Sequence, residues 1–184
     1  MASHSHSMLF LYVSFLPFLF FHSCSSLPLD PNDASSLVDQ VCGQTKDVNF
    51  CLSTFNSNPR AATAALSTLE FIILQFSYDN ASDNERYIAE LLRNTQDPAV
   101  KQGLDHCTIN YQGSFFALQQ SFFDFEARDY RAVGEKCRIV FENSSDCERA
   151  FIEGPTHQSP LTSQNNVLIK LTEITDIIIA MLLK

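Results

Sequence analysis

The chain is predicted to be all-α: an antiparallel four-helix bundle, preceded by a small N-terminal helical hairpin and stapled by two disulfides. Three observations carry that expectation. Apolar residues recur every three or four positions through most of the chain, and no stretch alternates with the period of a strand. Asn58-Pro59, Asp97-Pro98 and Ser159-Pro160 divide the pattern into long segments with short connections. Cys107 and Cys147 lie 40 residues apart, centred on Ala127-Arg128-Asp129, where one helical pattern stops and another starts.

The chain opens with a secretory signal peptide, assigned to residues 1–26. Met8 to Phe21 is almost wholly apolar, no Asp, Glu, Lys or Arg precedes Asp30, and the run ends in Ser23-Cys24-Ser25-Ser26. It is shorter than the roughly 20 residues of a membrane span and contains Pro17. Cleavage leaves residues 27–184 as one domain of ordinary size, with the hairpin at 27–58 and the bundle at 59–184. In the hairpin, Pro31-Asn32-Asp33 precedes Leu37-Val38 to Val41, and Val48-Asn49-Phe50 leads into Cys51-Leu52.

After Asn58-Pro59, Ala65, Leu69, Ile72, Ile73 and Phe76 form the inward stripe of a helix expected from about Arg60 to Tyr78. Ser82-Asp83-Asn84-Glu85 fits a capping box that would open a new helix, with Ile88, Leu91 and Leu92 buried. Asp97-Pro98 is a cap followed by a first-turn proline. It starts a long helix carrying Val100, Leu104, Cys107, Tyr111, Phe115, Leu118, Phe122 and Phe125 on one face. Asp129 caps the next helix, whose stripe is Ala132, Val133, Cys137, Val140 and Phe141 and whose end is expected near Asn143. Gly154-Pro155 and Ser159-Pro160 bracket a loop, and the last helix, from Thr162, buries Leu168, Leu171, Thr175, Ile178 and Leu182.

Secretion permits disulfides, and cleavage removes Cys24, leaving five cysteines. Composition alone leaves many pairings open. Periodicity places Cys137 on the apolar stripe of its helix, where a free thiol behaves as a small buried hydrophobe. Two antiparallel legs of about 20 residues run roughly 30 Å out and back, so their far ends bring Cys107 to Cys147. Cys42 then pairs with Cys51 by elimination. No Cys or His pair has zinc spacing, and although His106 adjoins Cys107, a bridged cysteine cannot act as a nucleophile.

The net charge of −9 argues against nucleic acid and anionic membrane surfaces as partners. The five glycines are scattered singly, so there is no phosphate loop, nucleophile elbow or dinucleotide fingerprint. Acids such as Asp124 and Glu126 point to different helix faces. No catalytic residue, metal or cofactor is expected. Two N-glycosylation sequons, at Asn80 and Asn143, fall near expected helix ends.

A set of local matches, in order, resembles the plant invertase and pectin methylesterase inhibitor family. These are Asn58-Pro59-Arg60, Asp97-Pro98 leading to Cys107, Asn110-Tyr111, Asp129-Tyr130, Cys147-Glu148 followed by Phe151, and Ser159-Pro160-Leu161. The resemblance implies a non-enzymatic, secreted, apoplastic or vacuolar protein, monomeric when free. It also implies a stoichiometric complex covering the active-site cleft of a secreted carbohydrate-active enzyme, with the same two bridges. Invertase inhibitors resemble one another in a Pro-Lys-Phe motif at the turn where this chain has Asp129-Tyr130-Arg131. Pectin methylesterase inhibitors resemble one another in an acidic face where this chain has Ile109, Gly113 and Phe116. The absent loop motif is the harder to replace, which places pectin methylesterase ahead of invertase. Asp129 and Tyr130 at the hairpin tip are the candidate partner contacts. Phe116 is either a further anchor or the edge of a wide apolar stripe. A competing reading is a non-inhibitory wall or pollen-type protein, or a carrier that holds an apolar ligand among its eleven Phe after Ser26.

Overall fold

A computed structural model describes residues 36–153 and 158–184. The expected signal peptide, Pro31-Asn32-Asp33, Gly154-Pro155 and His157 lie outside the described residues. Two short helices, α1 (Leu37–Cys42) and α2 (Val48–Asn56), precede four long ones: α3 (Leu66–Asn94), α4 (Pro98–Glu126), α5 (Tyr130–Ile152) and α6 (Thr162–Leu182). A single 3-10 turn, Ala61–Thr63, joins the two groups. In the bundle α3 packs on α4 and α6, and α5 packs on the same two, so the four close into a ring.

The hairpin is short, and local hydrogen bonds define its ends. Ser36 and Asp39 form a capping box on α1, and Asp47 caps α2 by accepting from Phe50 N at 3.0 Å. The Cys42–Cys51 bridge, with Cα atoms 5.4 Å apart, ties α1 to α2. The pair lies on α6, where Lys170 Nζ meets Asp47 at 2.8 Å and Glu173 accepts from Lys46 N at 3.1 Å.

The long third helix corrects the sequence reading. It begins at Leu66, after the 3-10 turn, and runs unbroken through Ser82 to Asn94. A capping box needs a residue outside the helix at its start, but here Ala81, Asn84 and Ile88 continue the buried face set by Leu69, Ile73 and Ser77. Burial of that continuous stripe outweighs the local capping preference. Helix α5 likewise continues past Asn143 to Ile152. Ser144 and Ser145 return their hydroxyls to Val140 O and Phe141 O, and the inward face extends through Cys147 and Phe151. Asn80 and Asn143 therefore lie inside helices rather than at their ends. Phe141, expected inside, is exposed, because it stands roughly a quarter-turn from the stripe of Val133, Val140, Ser144 and Phe151.

The bundle interior is largely aliphatic along its length, with Leu69, Ile72, Ile73, Leu104, Leu118, Val133, Val140, Leu168, Leu171 and Ile178 buried. Each such side chain contributes about 1.5–3 kcal/mol by leaving water. At one end Cys107 and Cys147 are bridged, with Cα atoms 4.6 Å apart. Beside the bridge a polar chain crosses all four helices. Asn84 donates to Asn80 Oδ1 (2.9 Å) and to the Tyr111 hydroxyl (3.3 Å), which donates to Asn165 Oδ1 (2.9 Å). Asn165 in turn donates to Glu148 Oε2 (2.7 Å). Tyr111 and Glu148, two residues of the family-like matches, are thus joined through one side chain. This is the stapled end. The other, the turn end, is closed by the α4–α5 connection at residues 127–129.

Candidate functional site

The turn between α4 and α5 is built from three residues with distinct tasks. Arg128 takes a left-handed conformation (φ 59°), its N–H donates to Phe125 O, and the Asp129 N–H donates to Asp124 O, both at 2.9 Å. These two bonds complete a Schellman motif on α4. The Asp129 carboxylate accepts from Ala132 N at 3.1 Å and caps α5. Asp129 is exposed, whereas Tyr130 is half-buried against the Phe125 ring, with centroids 6.1 Å apart. Of the two candidate contacts at the tip, Asp129 presents its charge to solvent, and Tyr130 presents only part of its ring.

The outer face of α4 leads away from this tip. Ile109, Phe116 and Phe123 are 70%, 63% and 66% exposed. Successive members are seven residues apart, so they form one row along the helix. Phe116 is therefore exposed, while its neighbour Phe115 packs against Tyr78 at a centroid distance of 4.8 Å. Between His106 and Asp124 the helix carries no Asp, Glu, Lys, Arg or His, and the row is flanked by Gln112, Gln119 and Gln120. On a molecule of net charge −9 this is an uncharged apolar strip, a kind of surface that marks interaction sites. Phe123 was missed in the sequence because the buried stripe dominates the helix pattern. The spacing of seven on the opposite face was the available signal.

Beyond Ile109 the row meets an open groove of about 630 Å³ between α4 and α5, at the stapled end. Gln102, His106, Asp146, Arg149 and Glu153 line it. Its floor is Gly103, where an added Cβ would lie 2.6 Å from the buried Phe151 ring. His106 stands on the groove wall, exposed, and Cys107 is committed to its bridge, so the two form no nucleophilic pair. Arg149 pairs with Asp146, an exposed pair worth little. Cys137 is buried and unbridged, and burial, with Glu70 nearby, pushes its thiol far above the usual range. A thiol held neutral in this way is not a nucleophile. Among the described residues no cluster of three or more His, Cys, Asp or Glu side chains is placed to hold a metal.

Both sequon asparagines are half-buried. Asn80 accepts from Asn84, and Asn143 occupies the gap left by Gly113 on α4, where an added Cβ would come within 3.0 Å of its amide nitrogen. Glycosylation of Asn143 requires its amide to leave that seam.

Residues 36–181 match the family described as plant invertase/pectin methylesterase inhibitor. The chain belongs to this family. Its members are inhibitors and not enzymes. Similar proteins include a pectinesterase inhibitor from Actinidia deliciosa, 26% identical over 92% of this chain and 90% of that one. Another is a Platanus orientalis protein provisionally named an invertase inhibitor, 26% identical over 85% and 94%. A third is the cell wall / vacuolar inhibitor of fructosidase 2 of Arabidopsis thaliana, 29% identical over 69% and 70%. The fold is shared with the crystal structure of mutant form A of a pectin methylesterase inhibitor from Arabidopsis. That match has a TM-score of 0.72 at 19% identity and covers 80% of this chain and 97% of the other. The short hairpin and the four long helices are thus the fold of a family whose members are named for inhibiting two different enzymes.

Proposed function

We propose that this protein is a secreted inhibitor that forms a stoichiometric complex with a plant cell-wall carbohydrate-active enzyme and blocks its active-site cleft, with pectin methylesterase ahead of invertase as the target. It is exported through the signal peptide at residues 1–26 to the apoplast or vacuole and is monomeric when free. The observation that carries the docking surface is the row Ile109, Phe116 and Phe123 on an uncharged face of α4, ending near Asp129 and Tyr130 at the turn. Exposed aromatic side chains act as anchors when a partner excludes water from them. Their place on a stapled helix means that little conformational entropy is lost on binding. The tip supports the ranking of targets, since Asp129-Tyr130-Arg131 stands where the invertase inhibitors resemble one another in Pro-Lys-Phe.

The carrier reading loses its ground. Of the eleven Phe after Ser26, only Phe55 and Phe151 are fully buried, and Phe116, Phe123 and Phe141 face solvent, so the aromatic residues do not line an interior chamber. Size-exclusion chromatography of the oxidised protein with a pectin methylesterase, and separately with an acid invertase, tests the proposal. The expected result is a one-to-one complex with one of them, abolished in the Phe116→Ser/Phe123→Ser variant while its helical content and unfolding midpoint stay unchanged. A variant that binds as well as the parent would remove α4 as the docking face.

A further inference from the structure

The polar groups at the two ends of the bundle are treated differently. Near the stapled end the Asn84–Tyr111–Asn165–Glu148 chain is joined by hydrogen bonds throughout. Toward the turn end lies a second polar layer that is not. Glu70 on α3 is fully buried, and among the described residues neither carboxyl oxygen has a partner within hydrogen-bonding geometry. The groups around it come from the other three helices. Thr175 on α6 is buried beside it with its own hydroxyl unpartnered, Cys137 on α5 lies close to both, and Ser121 on α4 faces Cys137 while returning its hydroxyl to Ala117 O. The charged groups acting on the layer are acidic: Asp176 on α6 raises Glu70, and Glu173, which receives the hairpin's Lys46 N–H, raises Asp176. No Lys or Arg is among the groups acting on Glu70.

A carboxylate cannot be kept in such a place without a cation or donors, so the side chain is held as the neutral acid. Burial is the largest cause and the Asp176 charge adds to it, and together they outweigh the opposing effect of the Thr175 hydroxyl. As a neutral acid, Glu70 has a proton to donate toward Thr175 Oγ1 and lets four helices close around it. As a carboxylate it must draw water in or move out. The disulfide lies at the far end and does not cross this layer, where α4 and α5 are joined only through their three-residue turn.

We propose that the turn end of the bundle is a pH switch: protonated Glu70 closes α3, α4, α5 and α6 around Ser121, Cys137 and Thr175, and loss of its proton loosens the end that carries Asp129, Tyr130 and Phe123. The switch regulates the docking surface of the proposed function and rests on that reading for its consequence. Its physical basis does not depend on any partner, and it is measured without one.

Amide hydrogen exchange of the oxidised protein alone, between pH 5 and pH 8, tests it. Each rate is corrected for intrinsic base catalysis, and the α4 and α5 amides near the turn are compared with those around the Cys107–Cys147 bridge. The expected result is a fall in protection of at least tenfold near the turn, little change at the bridge, and no differential fall in Glu70→Gln. Equal changes at both ends, or the same differential fall in Glu70→Gln, would overturn the switch. If Glu70→Gln does not fold, the carboxyl carbon resonance of Glu70 in the unaltered protein decides the matter. That resonance is expected to keep its protonated position after the exposed carboxyls have ionised and to move as the turn end opens, and ionisation together with the exposed carboxyls contradicts the proposal. Failure of the switch leaves the inhibitor reading untouched, and failure to inhibit any enzyme leaves these exchange data unchanged.

Discussion

Arg128 shows how a side chain can be tolerated where a glycine would serve better. Its φ of 59° is the left-handed conformation that costs an L-residue about 1–2 kcal/mol, held because two Schellman hydrogen bonds and the α5 cap converge on this turn. Arg128→Gly is expected to stabilise the protein by about 0.5–1 kcal/mol after the entropy cost of glycine, read as a higher denaturant midpoint at unchanged slope. Asp129 has two separable tasks. Asp129→Ala is expected to cost about 1 kcal/mol by removing the cap, whereas Asp129→Asn keeps the cap and discards only the charge. Loss of inhibition in the Asn variant at full stability would assign the charge to the partner; equal inhibition would restrict Asp129 to capping. The cap was legible in the sequence, because Asp after a pause in helical periodicity has few other uses. The positive φ was not, since nothing about Arg128 marks it in a string of letters.

Among the elements, α4 and α5 were readable because their buried stripes are long and the cysteine symmetry set their register. Their boundaries were less so. Ser82-Asp83-Asn84-Glu85 has the composition of a helix start, yet it lies inside α3 because Ala81, Asn84 and Ile88 belong to a buried face longer than four residues of local chemistry can interrupt. The same competition hid the continuation of α5 through Ser144 and Ser145. The α4–α5 pair depends on its staple and on one close approach. Loop closure over 40 residues gives the Cys107–Cys147 bridge about 4 kcal/mol as an upper figure, so the Cys107→Ser/Cys147→Ser variant is expected to lose up to that amount in chemical unfolding. Gly103→Ala places a methyl 2.6 Å from the Phe151 ring and is expected to cost about 1–3 kcal/mol. A neutral effect there would mean that Phe151 turns aside more easily than its complete burial suggests.

For the molecule as a whole, fold and family follow from one set of residues, and the choice of target does not. Tyr111 and Glu148 are bound into the network of the stapled end, so their presence reports the architecture and is silent about the enzyme. The proposed docking surface, the uncharged face of α4 with the Asp129-Tyr130-Arg131 tip, is a separate set of residues. Acidity acts on the whole through Glu70. Unfolded, it titrates near 4.5, and folded, it titrates well above that, so between those values the folded state binds more protons. The Glu70 contribution to stability is therefore expected to be fully present below about pH 4.5 and to fall by up to about 1.4 kcal/mol per pH unit as pH rises toward the folded value. Unfolding midpoints from pH 4 to pH 8 read this directly. Asp47 acts with the opposite sign: its bond from Lys170 lowers it, so its part is lost as pH falls through its depressed value below 3.8. The most direct test of the central claim is residual enzyme activity as the oxidised mature protein is titrated into a fixed amount of pectin methylesterase and, in parallel, of acid invertase. The account predicts a linear loss of pectin methylesterase activity that reaches its floor at one equivalent. Full activity of both enzymes at every ratio, under acidic and neutral conditions alike, would contradict it.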